Sequence, residues 1–184
     1  MNIIHRCHWV NPGNPAYIAY HDNEWGRTSL TEHELYELFI LETFQAGLSW
    51  ECVLNKREAF RKAYEGFIPE KVALFDEAKA ESLLNDPSII RNKLKIRSSI
   101  ENTHVYLNIL TEFQSFRAYI TSFFCECPIS EPYSMRTTSP ISDAVSKDLK
   151  KRGMKFCGST IIYSFLQAAG FINAHGPECD LFRR

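Results

Sequence analysis

The feature that most constrains this chain is a set of metal-ligand side chains divided between its two ends. Cys7 and His21 lie near the start, and His175 and Cys179 lie near the finish. The His175-x-x-x-Cys179 spacing lets both side chains reach one ion, and the four together have the Cys2His2 composition of a closed tetrahedral zinc site. If one ion holds all four, the two ends must meet in space, and any fold that leaves them apart is excluded. Terminal segments are otherwise the least tied parts of a domain. The competing reading is four unrelated residues, packed or solvated. Placement favours the ion, because both halves lie in polar end segments with little else to anchor them. Four protein ligands leave no open position, so such a site is structural and not catalytic.

Length and composition set the frame. At 184 residues, 45% of them hydrophobic, the chain most simply forms a single domain spanning residues 1–184 with a substantial core. It has no run of ~18 apolar residues to span a membrane, and its start lacks the apolar stretch of a signal peptide. A cytoplasmic protein is the expectation. The net charge of −1 argues against a generic polyanion binder and leaves room for a local basic surface. Two basic runs occur, Arg91, Lys93, Lys95 and Arg97, then Lys147, Lys150, Lys151 and Arg152. Taken alone, each reads as a solvated helix face. Cys52 and Cys157 sit in apolar stretches and read as small core residues, whereas Cys125-Glu126-Cys127 is a poor chelate and receives no assignment.

Helical periodicity dominates, and no alternating strand pattern stands out. Thr31-Glu32-His33-Glu34 is a capping box opening a helix that runs to about residue 45. Gly47 interrupts it, and Ser49 caps a second helix carrying Val53, Phe60 and Tyr64, closed by Gly66 and Pro69. A short helix passes through Val72, Ala73 and Leu74, and another covers 77–84, stopped at Asn85-Asp86-Pro87-Ser88. Apolar spacing predicts a long helix over 89–110 and a further one over 116–124. Residues 125–140 carry Pro128, Pro132 and Pro140 and read as an irregular connection. Ser142-Asp143 then caps a helix through Val145 and Leu149. A turn bounded by Gly153 and Gly158 leads into an apolar helix over 161–169. The fold class is all-α.

Three constellations carry chemistry. A helix opening at Gly158-Ser159-Thr160 offers free backbone N–H groups to a phosphate, and glycine permits close approach. Lys150, Lys151, Arg152 and Lys155 add positive charge around it. That is either an ordinary helix corner or a helix-hairpin-helix that grips a DNA backbone without reading sequence. Glu42 shares a helical stripe with Leu35, Leu38, Phe39 and Ala46. A carboxylate there either snorkels to a partner or waits in a pocket for a cationic or donor ligand. Tyr17, Tyr20, Trp25 and Trp50 supply aromatic faces suited to stacking on bases and to cations, although each alone also suits a core.

At these residues a family resemblance becomes specific. Tyr17-Ile18-Ala19-Tyr20-His21-Asp22-Asn23-Glu24-Trp25-Gly26, then Leu41-Glu42 with Gln45-Ala46-Gly47-Leu48-Ser49-Trp50, resemble the signature of the 3-methyladenine DNA glycosylase I family. So do Ile89-Ile90-Arg91-Asn92, Lys150-Lys151-Arg152-Gly153 with Phe156, and Asn173-Ala174-His175. The blocks run in order from Cys7 to Cys179, essentially the whole chain.

The resemblance implies an all-α helix-hairpin-helix glycosylase whose termini are joined by one structural zinc on Cys7, His21, His175 and Cys179. It implies that Glu42 recognises the alkylated adenine, with a possible catalytic part, and that Tyr20, Trp25 and Trp50 wall the base. Gly47 and Leu48 would face the gap in the duplex, and Lys151, Arg152, Gly153, Gly158, Ser159 and Thr160 would contact DNA. The partners implied are double-stranded DNA carrying alkylated bases and free 3-methyladenine as product, with a monomeric protein and no membrane. Other helix-hairpin-helix glycosylases place a catalytic aspartate after the hairpin, where this chain has Asn173 and His175. No lysine nucleophile is recognisable there either, so a monofunctional hydrolase is expected. The alternative is a non-catalytic zinc-stapled module binding damaged DNA, which would have no need of Tyr20, Trp25, Glu42 and Trp50 together. Three departures stand out: Ser88 where the family has glycine, Cys157 for a valine, and Thr43-Phe44 for a more polar pair, which would set a large ring beside the pocket.

Overall fold

The computed structural model describes residues 4–131 and 136–182, so Pro132 of the irregular connection lies outside the described residues. The chain opens with α1 (Pro15–Asn23), started by Asn14, whose side chain accepts from Ala16 and Tyr17 N–H, with proline at the first helical position. No apolar periodicity marks this helix in the sequence. Next, α2 (Glu32–Gln45) begins with the expected capping box between Thr31 and Glu34. Every residue from Leu35 to Phe44 is buried. This central helix packs against four later helices.

The single helix expected after Ser49 is two, α3 (Trp50–Leu54) and α4 (Arg57–Ala63). A 3-10 turn at Glu65–Phe67 turns on Gly66 at φ 72 and leads into α5 (Pro69–Val72) and α6 (Glu77–Asn85). The long helix α7 (Lys93–Phe113) starts four residues later than its apolar spacing implied. Asn92 caps it, accepting from Leu94 and Lys95 N–H, and a side-chain cap outweighs hydrophobic pattern in fixing a start. α8 (Phe116–Thr121) is shorter than expected. α9 (Pro140–Lys151) is capped by Ser139, not Ser142; Ser142 is its capping-box partner three residues on. α10 (Ser159–Ala168) follows. A two-residue parallel pairing, β1 (Ile129–Ser130) with β2 (Ile172–Asn173), is the strand content among the described residues. The protein is mostly helical, as expected, and no described helix is long and apolar enough to cross a membrane.

Buried residues from Cys7 to Leu181 form one core cluster. α7 lies on α2, where Tyr36 and Thr103 hydroxyls meet at 2.6 Å, and it reaches the end of α4, where Tyr64 and Ser99 meet at 2.9 Å. Hydroxyl pairs of this kind offset the desolvation cost of polar atoms entering a core. The two ends are laced together: His5 N–H donates to Asp180 Oδ2 at 2.9 Å and Asp180 N–H to the His5 carbonyl at 3.0 Å.

The three departures resolve locally. Phe44 is fully buried and packs on Phe60 and Tyr64 at ring distances of 4.8 and 6.1 Å. It points into the core, so the expectation of a ring beside the pocket is wrong. Thr43 donates its hydroxyl to the Ile40 carbonyl. Ser88 closes a turn on Asp86, both its N–H and hydroxyl reaching Oδ1. Cys157 is wholly buried and replaces valine as a small apolar filler.

Candidate base pocket and metal centre

Glu42 is the chemical centre of the molecule. It sits on the buried α2 with 2% of its surface exposed. Burial alone pushes its carboxyl up to about 8 from an ordinary 4.5. It faces a cavity of about 380 Å³ lined by Trp9, Tyr17, Tyr20, Trp25, Gln45, Trp50, Ser164 and Gln167, a volume suited to a small molecule. Three buried polar atoms have no hydrogen-bond partner among the described residues, Glu42 Oε2, Gln45 Oε1 and Trp50 Nε1. All three belong to residues that line this cavity. Orphaned buried groups are rare in native proteins and call for an explanation. A bound ligand that supplies donors to the two acceptors and an acceptor to the indole provides one.

The walls are aromatic. Tyr20 and Trp50 rings lie 5.3 Å apart, and Trp9 contacts both Trp25 at 4.9 Å and Tyr17 at 5.5 Å. Burial, and then the Glu42 charge, raises the Tyr20 hydroxyl well above its ordinary range. It therefore stays protonated at neutral pH. Such faces favour a cation as well as a planar ring.

The structure brings the expected Tyr20, Trp25, Glu42 and Trp50 together around one space. Sequence reasoning missed Trp9, Gln45, Ser164 and Gln167, and left Tyr17 out of the pocket. Gln45 lies three residues after Glu42 on the same helix, and Ser164 and Gln167 are spaced alike on α10. That helical spacing was available in the sequence. Trp9, on an irregular segment, gave no such signal.

Cys7, His21, His175 and Cys179 converge as well. All four are buried, and their ligand atoms lie within 4.8 Å of one another. Cys179 Sγ is 3.6 Å from His21 Nε2 and 3.4 Å from His175 Nδ1, and Cys7 Sγ is 3.5 Å from His175 Nδ1. A tetrahedral ion with ordinary zinc bond lengths requires S···N edges of about 3.6 Å, so the donor set fits a metal ion. Burial pushes the Cys7 thiol up to about 12 and His175 down to about 4. Both groups therefore favour neutral forms unless a cation stabilises the thiolate.

The outer contacts are those of a ligand set. Asp22 Oδ1 lies 2.9 Å from His21 Nδ1, which turns Nε2 toward the cluster, and Arg6 holds Asp22 in turn at 2.6 Å. His175 makes a hydrogen bond to the Trp25 backbone. The Trp25 ring lies 4.6 Å from the His175 ring and 6.2 Å from that of His21. One pocket wall is therefore braced by two residues of this cluster. At Gly26 an added Cβ would come within 3.0 Å of His175 Nε2, so the chain must be bare there.

A second cavity of about 250 Å³ lies behind Trp25, lined in part by Arg27, Pro128, Asn173 and His175. Two of its polar side chains are already engaged. Asn173 donates to the Phe182 carbonyl and accepts from His175 N–H, and Arg27 donates to the Asp22 carbonyl. It lacks the unsatisfied groups that distinguish the first.

The expected DNA contacts divide. Gly47 takes φ 76 in the turn after α2, and Leu48 beside it is 41% exposed. Gly158 caps α10 without a side-chain bond, which leaves first-turn N–H groups free for an anion. Lys151, Gly153 and Thr160 are exposed, whereas the Ser159 hydroxyl donates to Asp143 at 2.5 Å. Arg152 is committed elsewhere. It pairs with Glu112 at 2.5 Å and Asp148 at 2.6 Å and lies over the Phe113 and Tyr119 rings, so it stitches α9 to its neighbours instead of standing free for a phosphate. The turn itself is clamped by Asn102, which donates to the Lys155 carbonyl and accepts from Lys155 N–H.

A helical domain with a buried acid in an aromatic box, beside a Cys2His2 set joining its ends, belongs to a class built to hold one planar, electron-poor ring. Comparison with known proteins specifies it further. The model of the methyladenine glycosylase family matches residues 9–184, and the chain belongs to that family. It is 43% identical to DNA-3-methyladenine glycosylase 1 of Escherichia coli (strain K12), over 96% of both chains. A crystal structure of 3-methyladenine DNA glycosylase I superposes with a TM-score of 0.90 at 42% identity, covering 96% of this chain and 98% of the other. A variant of such an enzyme in complex with 3-methyladenine superposes with a TM-score of 0.89 at 32% identity, covering 95% and 96%.

Proposed function

We propose that this protein is a DNA-3-methyladenine glycosylase that hydrolyses the N-glycosidic bond of 3-methyladenine in alkylated DNA. The observation that carries the reading is Glu42, buried in a purine-sized aromatic box with its Oε2 unpartnered among the described residues. Methylation at N3 makes the nucleobase cationic and weakens its bond to the sugar. Once extruded from the stack, the base enters between the aromatic walls, and its charge and donors restore the interactions that Glu42 lacks in the free protein. A cation next to Glu42 lowers its pKa and draws it into the carboxylate form. Neutral adenine offers no such return for ionising the acid, so the pocket favours the lesion.

Bond breaking needs little more. The glycosidic electron pair passes to the purine, which leaves neutral, and water adds to the sugar carbon with loss of a proton. The leaving group takes no proton, so no strong general acid is required. Contacts that tighten as the bond breaks accelerate the step. The region where other helix-hairpin-helix glycosylases carry an aspartate holds Asn173 and His175, and no lysine nucleophile is recognisable there, which supports a monofunctional hydrolase.

The α9–α10 pair with its uncapped Gly158 turn is read as a helix-hairpin-helix gripping the DNA backbone, and Gly47 and Leu48 as facing the duplex. The metal is read as zinc. Cys7, His21, His175 and Cys179 would hold it, and when bound it supplies structural closure of the two ends and no step of the reaction. The protein is taken to act as a cytosolic monomer. Six cysteines with no disulfide among them support that compartment. The direct test is incubation of the purified protein with methylated duplex DNA and chromatography of the released bases. Free 3-methyladenine is expected, and its absence under conditions where a known glycosylase releases it overturns the proposal.

A further inference from the structure

One member of the basic run at the start of α7 departs from the solvated face that its charge pattern implies: Arg91, Lys93 and Arg97 are exposed, and Lys95 is buried. Lys95 is only 6% exposed. Its ammonium donates to the Phe44 carbonyl at 2.8 Å and to the Ala46 carbonyl at 2.5 Å. No carboxylate pairs with it among the described residues, and burial lowers its pKa. A buried ammonium is expensive unless its donors are satisfied. Here they are satisfied by carbonyls at the C-terminal end of α2, which carry no intrahelical partner and form the negative end of the helix dipole.

The clamp holds a particular piece of chain. Gln45 lines the base pocket and Trp50 resumes it. Between them Gly47 turns the backbone at φ 76, and Leu48 stands outward as an exposed apolar side chain. Lys95 Nζ also lies 5.9 Å from the centre of the Phe156 ring in the α9–α10 turn. Two helical turns further along the same face of α7, Asn102 clamps Lys155 in that turn. One face of α7 thus fixes both the pocket-edge turn and the glycine-bounded turn.

We propose that Lys95 is a positioning residue for base extrusion, holding the turn between Gln45 and Trp50 so that Leu48 meets the duplex. The inference rests on the reading that this turn faces DNA. Lys95 touches neither base nor sugar and acts through the backbone it holds. Misplacing such a turn by about 1 Å is enough to slow a positioned reaction on the order of 100-fold.

The test uses the full-length protein as wild type, Lys95→Met, Leu48→Ala and the double variant. Two quantities are measured: single-turnover release of 3-methyladenine from methylated duplex, and affinity for free 3-methyladenine. Lys95→Met is expected to slow release at least about tenfold while changing free-base affinity less than about twofold. In the Leu48→Ala background the lysine substitution is expected to have little further effect, because both act on one step. Lys95→Gln, which retains a donor, is expected to recover part of the rate and serves in its place if Lys95→Met does not fold. If Leu48→Ala slows release and Lys95→Met does not, or if the two effects multiply, Lys95 has no positioning role. If Leu48→Ala leaves release unchanged, the DNA-facing reading of the turn fails, and the role of Lys95 falls with it.

Discussion

Glu42→Gln separates what the carboxyl costs the fold from what it does for the ligand. In the native protein burial pushes this acid up to about 8, against an ordinary 4.5 in the unfolded chain. Between those values the native state keeps a proton that the unfolded state has lost. Unfolding then releases that proton, and stability falls as pH rises through the window. At about 1.36 kcal/mol per pH unit, the wild type gives up about 3 kcal/mol by pH 7 and about 5 kcal/mol above pH 8. Glutamine has no such titration. Urea unfolding of both proteins from pH 4 to pH 9 should show a stability difference near its baseline at pH 4 and growing in favour of the variant above pH 5. The subtraction cancels every other titrating group. The same variant should bind free 3-methyladenine about 10- to 100-fold more weakly, the worth of a hydrogen bond to a charged acceptor. A stability difference that stays flat across the range refutes the desolvated carboxyl. Unchanged affinity removes Glu42 from the pocket.

Two further outcomes follow from the architecture. Purified protein should carry about one zinc per chain, and Cys179→Ser should lose it, lower the melting temperature and weaken free-base binding, because Trp25 rests on His21 and His175; metal analysis well below one equivalent in the wild type counts against zinc. Phe44→Ala should cost about 3–5 kcal/mol in denaturant unfolding while leaving the ratio of 3-methyladenine to other released bases unchanged, and a shift in that ratio would restore Phe44 to the pocket.

Much of the fold was legible because local chemistry and tertiary packing agree. The Thr31–Glu34 capping box and the glycine at 47 marked the ends of α2 where they stand. Helix starts set by a side chain against a weak apolar pattern were misplaced, as at Asn92 and Ser139. α1 was missed because it buries only Tyr20 and His21 and so carries no periodic stripe.

The sequence by itself supplied the Cys and His donors near the two ends, the carboxylate on an apolar stripe, and the candidate aromatic faces. Each is a statement about side-chain chemistry at a fixed position, and spacing along the chain suffices for it. Only the tertiary structure decided which groups are already satisfied. Arg152 and Lys95 look alike in a basic run. Yet one closes on Glu112 and Asp148, and the other on the carbonyls of Phe44 and Ala46. Glu37 and Glu42 both lie buried on α2, but Arg57 and Arg61 neutralise the first and no cation among the described residues pairs with the second. A charge becomes functional when the fold removes water from it and withholds a partner, and that depends on residues far away in sequence.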